Sequence, residues 1–107
     1  METKAESITQ EVRRQLVNLY GPRFRKLILY GSYARGEAVP GSDLDLLLVL
    51  DEVRDFWSEF EKVQDITSRL SLEHDAVVSV FPMSEREYLE RQTPFLLNVR
   101  REGTLVS

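Results

Sequence analysis

Apolar residues along this chain recur in two rhythms, and the switches between them predict most of the elements. From Ser7 to Tyr20, Ile8, Val12, Leu16 and Leu19 return at helical spacing, and Ser7 with Gln10 has the spacing of a capping box. Gly21-Pro22 ends that helix, because glycine closes it and proline cannot continue it. Lys26–Tyr30 is almost wholly apolar, the pattern of a strand covered by other elements. Ser32–Arg35 has room for one short helical turn, and Gly36–Ser42, with Pro40-Gly41 as its turn signal, reads as a loop. A second strand follows from Asp43 to Leu50. Alternation puts Leu44, Leu46, Leu48 and Leu50 on one face, and Asp43, Asp45, Leu47 and Val49 on the other.

The helical rhythm returns from Val53 to Leu70, with Phe56, Phe60, Val63, Ile66 (or Thr67) and Leu70 on its inner side. Trp57, adjacent to that stripe, reads as core or edge packing. Asp75–Phe81 alternates as a third strand, with Asp75, Val77, Ser79 and Phe81 on one face, and Pro82 closes it. Ser84 and Glu87 have capping-box spacing for a helix continuing through Leu89. Pro94 opens a last helix to Arg101, Gly103 stops it, and Thr104–Val106 is a short edge strand. The order predicts an α+β fold, one small mixed sheet with helices mainly on one face.

Composition narrows the class. At 107 residues the chain has the size of a single domain, expected to run over 1–107. With 42% hydrophobic and 30% charged residues it has the make-up of a soluble globular protein. The lack of cysteine excludes disulfides and thiolate zinc sites, and one histidine excludes histidine-rich metal centres, so oxygen-ligated metals stay open. The polar start METKAESITQ has no signal-peptide core, and no apolar run reaches the ~18–20 residues that span a bilayer. The expected location is the cytoplasm, with no membrane contact. A formal charge of −4, with only short basic clusters at 23–26 and 100–101, argues against direct nucleic-acid binding.

Against that background the stretch LILYGSYARGEAVPGSDLDLLLVL, from Leu27 to Leu50, carries the chemistry. Gly31 has no Cβ, so the chain can turn sharply there and its backbone can approach a phosphate. The Ser32 hydroxyl and neighbouring N–H groups can bind phosphate oxygens. Asp43 and Asp45, two residues apart on one face, repel each other unless a cation joins them. Mg²⁺ suits such a pair, since it takes a few carboxylates together with waters and substrate phosphates. Phosphoryl or nucleotidyl transfer calls for a third carboxylate to hold or deprotonate the attacking hydroxyl. Asp75 is the candidate, with Glu73 and His74 as competitors.

The arrangement Gly31-Ser32, Asp43-Leu44-Asp45 and a later strand bearing Asp75 resembles the active-site pattern of the DNA polymerase beta superfamily of nucleotidyltransferases. The text GSYARGEAVPGSDLDLLLVL and the closing REGTLV resemble its minimal nucleotidyltransferase branch, over residues 27–106. The resemblance implies a polymerase-beta-like palm, two Mg²⁺ ions and ATP as donor. It implies that Asp43, Asp45 and Asp75 ligate metal and that Gly31 and Ser32 bind the triphosphate. Arg35 and Ser42 are further candidate nucleotide contacts, and Arg35 reads equally as an exposed arginine at a helix end. Proteins of this branch are commonly antitoxins whose partner is a HEPN-domain ribonuclease toxin, and their chemistry is AMP transfer from ATP to a tyrosine of that toxin. No base-holding or acceptor domain is legible, so nucleotide choice and acceptor would come largely from elsewhere. Two other readings remain: a module that neutralises its partner by occlusion, and a stand-alone small-molecule nucleotidyltransferase.

Overall fold

The computed structural model describes residues 3–39 and 41–107. Its first helix, α1 (Lys4–Tyr20), begins earlier than the Ser7/Gln10 pair suggests. Thr3 caps it, its Oγ1 accepting the Glu6 N–H at 3.1 Å, and Ser7 lies inside the helix. The Thr3/Glu6 spacing is the same capping signal placed one turn upstream. Ile8, Val12, Leu16 and Tyr20 are buried, whereas Leu19 is 45% exposed, because Tyr20 takes the next core position four residues after Leu16. A 3₁₀ turn, Gly21–Arg23, leads into β1 (Phe24–Tyr30). There follow α2 (Ser32–Arg35), β2 (Leu44–Leu50), α3 (Phe56–His74), β3 (Val78–Ser84), α4 (Glu85–Glu90), α5 (Pro94–Glu102) and β4 (Thr104–Leu105). Pro40 of the expected turn lies outside the described residues.

The sheet order is β3-β2-β1-β4. β1 runs antiparallel to β2 and β4, and β2 runs parallel to β3, so the sheet is mixed. Its two faces bury different partners. Leu44, Leu46, Leu48 and Leu50 pack against Ile8, Val12 and Leu16 of α1 and Val63, Ile66 and Leu70 of α3. On the opposite face Leu47 and Val49 meet Ile28, Met83, and Leu96 and Val99 of α5. Both long helices therefore cover one face, as expected, and short α5 covers part of the other. The alternation read along β2 is the one observed. No described helix is long and apolar enough to cross a membrane.

Two expectations need correcting. α3 starts at Phe56, where the Asp55 carboxylate accepts the Ser58 N–H at 3.3 Å, and it runs a full turn past Leu70 to His74. That extension removes residues 75–77 from the third strand, which begins at Val78 and continues through Pro82 to Ser84. Proline is tolerated there because β3 is an edge strand. Of the two readings of Trp57, the structure takes edge packing: it is 69% exposed, its ring edge-on against Phe56 and Phe60 at 5.2 and 5.9 Å.

Candidate active site

The site forms where β1 ends and β2 begins. Gly31 leaves β1 with φ +76°, a left-handed value that other residues avoid. A Cβ built on it would lie 2.6 Å from Oδ2 of Asp45. Only glycine meets both demands, and the result is backbone pressed against a carboxylate. Helix α2 starts at Ser32 with no side-chain cap, and the left-handed Gly36 (φ +72°) closes it after one turn. Asp45 sits opposite Tyr30 in the antiparallel β1–β2 pair, half-buried, while Asp43 is exposed just ahead of the strand. Burial, then the charge of Asp43, hold the Asp45 carboxyl above the ordinary aspartate range, and Arg35 partly offsets them. Arg35 itself is bridged to Glu37 at 3.1 Å and to Glu102 of α5 at 3.9 Å.

Gly31 thus meets Asp45, the charges of Asp43 and Arg35 act on that carboxylate, and Ser32 follows Gly31 in the chain; the other two candidates are held elsewhere. Ser42 is spent on its own loop, where its Oγ accepts the Val39 N–H at 2.9 Å. Asp75 ends α3 as its left-handed C-cap (φ 49°, ψ 52°) and never enters β3. Both line a cavity of about 370 Å³ shared with Lys4, Ile8, Tyr33 and Leu44, and Leu44 belongs to the face that α1 and α3 cover. Among the described residues, no three Asp, Glu, His or Cys side chains are placed to hold one metal ion. The expected three-carboxylate set is therefore not assembled. Glu73 and His74, the competitors of Asp75, lie in the last turn of α3.

What stands beside Asp45 on β3 is Ser79, its partner in the parallel register, exposed on the same face. Alternation marked Ser79 as facing that way, but no local pattern reveals which residue of a parallel neighbour lies opposite Asp45. The resulting donor set, two carboxylates with a hydroxyl nearby, fits Mg²⁺. That ion keeps several waters and needs only one or two protein carboxylates beside substrate phosphates. A divalent cation would also relieve the repulsion that raises the proton affinity of Asp45.

The profile of the nucleotidyltransferase domain family matches residues 10–105, a span that includes every one of these groups. The chain belongs to that family. Among its relatives is "Putative protein adenylyltransferase MJ0604" of Methanocaldococcus jannaschii, 32% identical over 102 residues, which are 94% of this chain and 96% of that protein. The crystal structure of "a putative nucleotidyltransferase from Sulfolobus solfataricus" superposes with a TM-score of 0.66 at 18% identity, covering 98% of this chain and 87% of that one. A toxin–antitoxin crystal structure with AMP-PNP superposes at 0.64 and 18% identity, covering 92% of this chain and 72% of that one. At these identities the likeness is one of fold. The mixed sheet with its α2 turn is the polymerase-beta-like architecture, and the chain is a nucleotidyltransferase.

Proposed function

We propose that this nucleotidyltransferase is a Mg²⁺-dependent antitoxin that transfers AMP from ATP to a tyrosine of a HEPN-domain ribonuclease toxin, silencing it. The observation that supports the reading is the close approach of the Asp45 carboxylate to Gly31, which sets a turn suited to phosphate beside a carboxylate suited to a metal ion. Two likenesses support the specific chemistry. A relative of matching length is named "Putative protein adenylyltransferase", and a toxin–antitoxin complex with an ATP analogue shares the fold.

Asp43 and Asp45 would hold Mg²⁺, which when bound supplies positive charge against the phosphates. Gly31 lets the backbone approach the triphosphate, and the Ser32 hydroxyl donates to a phosphate oxygen. Arg35, exchanging its Glu37 and Glu102 partners for phosphate, offsets charge as it builds. The tyrosine oxygen attacks the α-phosphorus in line; the new O–P bond forms as the bond to pyrophosphate breaks, and pyrophosphate leaves. Among the described residues, no third carboxylate is grouped with Asp43 and Asp45 as a metal ligand. A phenol suits such a site as acceptor, because a hydroxyl of pKa about 10 gives up its proton far more readily than an aliphatic alcohol.

The test is intact-mass analysis of the protein encoded beside this chain's gene after incubation with the chain, ATP and Mg²⁺. An AMP adduct on that partner, absent with Asp43→Ala/Asp45→Ala, is the expected result. No adduct, with neutralisation undiminished in the double variant, would establish occlusion instead.

A further inference from the structure

Three sizeable cavities differ in what surrounds them. The one lined by Arg23, Asp51, Arg54 and Glu59 is enclosed by charges that pair with one another, Arg23 reaching Asp51 at 3.1 Å and Glu59 at 2.8 Å. The one containing Asp75 is lined by Lys4, Ile8, Tyr33 and Leu44, and not by Gly31. The third, about 240 Å³, adjoins the active site: Gly31 and Arg35 line it from one side, and Phe95, Asn98 and Glu102 from α5. Those three residues recur at helical spacing on one face of α5. Tyr30 completes the lining, its ring edge-on to that of Phe95 at 5.3 Å.

Phosphate binding does not explain the α5 side. The Glu102 carboxylate repels phosphate, and the Phe95 ring offers it no donor. Phe95 is 40% exposed although it is large and apolar. Asn98 is exposed, and its amide oxygen accepts only one long bond, from Arg101 at 3.4 Å. A ring platform, a free amide and a carboxylate acceptor are instead what a nucleobase with an exocyclic amine requires. The volume is below the ~300–1,000 Å³ of sites that enclose a whole drug-sized ligand, so it suits one part of a nucleotide.

We propose that this cavity is the nucleobase subsite and selects adenine, a step that rests on the phosphate site at Gly31–Ser32. Phe95 stacks on the purine. Asn98 pairs with the amine and adjacent ring nitrogen, the edge that an asparagine amide matches in bidentate fashion. Glu102 accepts the second amine hydrogen; uracil can still pair with the rotated Asn98 amide, but its O4 only accepts and gives the Glu102 carboxylate nothing. The nucleotide thus bridges the β1–α2 turn and α5, with its phosphates at the carboxylate end.

Isothermal titration of the full chain with ATP, UTP and inorganic tripolyphosphate in Mg²⁺ tests this. Wild type should prefer ATP to both other ligands. Phe95→Ala should weaken ATP roughly 5- to 100-fold, the range of one base–aromatic stack. Asn98→Ala, an exposed change, should weaken ATP through loss of its paired hydrogen bonds to the base. Both variants should keep wild-type affinity for tripolyphosphate, which also shows that they are folded. Unchanged ATP affinity in both variants overturns the subsite, as does a Phe95→Ala protein that binds ATP normally but no longer modifies its acceptor. A wild type that binds neither ATP nor tripolyphosphate would overturn the phosphate site itself.

Discussion

Asp45 is half-buried, touches the Gly31 backbone with one oxygen and faces the charge of Asp43, and both burial and that charge raise its pKa. The folded chain therefore holds this proton more tightly than the unfolded chain does. Stability from the group is greatest below the unfolded pKa and is lost as pH rises through the folded one, so at neutral pH the ionised carboxylate is a net cost. Asp45→Asn should accordingly raise the melting temperature at pH 7 in EDTA. The gain should vanish below about pH 4, where the wild-type group is protonated in both states. Mg²⁺ should narrow the gap at pH 7, because it binds the wild-type pair and stabilises the folded state by mass action. Thermal unfolding at the two pH values, with and without Mg²⁺, reads all three effects, and a lower melting temperature for Asp45→Asn in EDTA would sink the argument. These residues were legible in the sequence because chemistry constrains them tightly. A glycine is needed where backbone meets carboxylate, and two carboxylates at alternate positions need a cation.

Among the elements, α3 and β3 differ most from expectation, and the difference moves Asp75 from the third strand to the end of α3. Residues 71–74 continue the helix, and Asp75 breaks it in the left-handed region, so the chain reaches β3 three residues later than the apolar alternation implied. The Ser71 hydroxyl secures the exit by accepting the Val78 N–H at 3.1 Å. Asp75→Gly is the informative variant. Glycine takes φ 49° without the Cβ strain of about 1–2 kcal/mol that opposes left-handed backbone, less for Asp than for most residues. That relief is set against glycine's greater freedom in the unfolded chain. The variant should melt within a few degrees of wild type and keep nucleotidyl transfer within about threefold. Loss of transfer with the fold intact would return Asp75 to the active site. The strands and the two long helices could be read from periodicity because their apolar stripes are long. The ends of α1 and α3 could not, since Thr3/Glu6 and Ser7/Gln10 carry the same capping signal and only packing chooses between them. The opposition of Ser79 to Asp45 was equally hidden, because a parallel pair joined through a helix leaves no turn to set its register.

Over the whole molecule the two faces of the sheet are unequally sealed, and the candidate site at Gly31 and Asp45 lies on the less sealed one. The α1/α3 layer joins fourteen buried residues into one cluster, whereas the layer under α5 holds six, of which α5 contributes only Leu96 and Val99. Phe95 and Leu97 remain substantially exposed, and β4 pairs through two residues. One close fit holds this layer down: a Cβ on Gly103 would lie 2.6 Å from Ile28 and 2.5 Å from the Val99 carbonyl, so the end of α5 rests directly on β1. Beyond it the tail is tied by Val106, whose N–H donates to the Leu27 carbonyl at 2.8 Å and whose carbonyl accepts from Arg13 of α1 at 3.2 Å. A helix anchored at its end but lightly buried along its length should open without the rest of the fold. Hydrogen exchange should then show α5 amides exchanging through a low-energy local opening insensitive to denaturant, while those of β2, buried on both faces, exchange only with global unfolding. ATP with Mg²⁺ should slow α5 while leaving β2 nearly unchanged, because the nucleobase bridges α5 to the β1–α2 turn. Equal protection of α5 and β2 with the same denaturant dependence would show that the second layer is as firm as the first. The site would then be a rigid cleft that the nucleotide enters without ordering it.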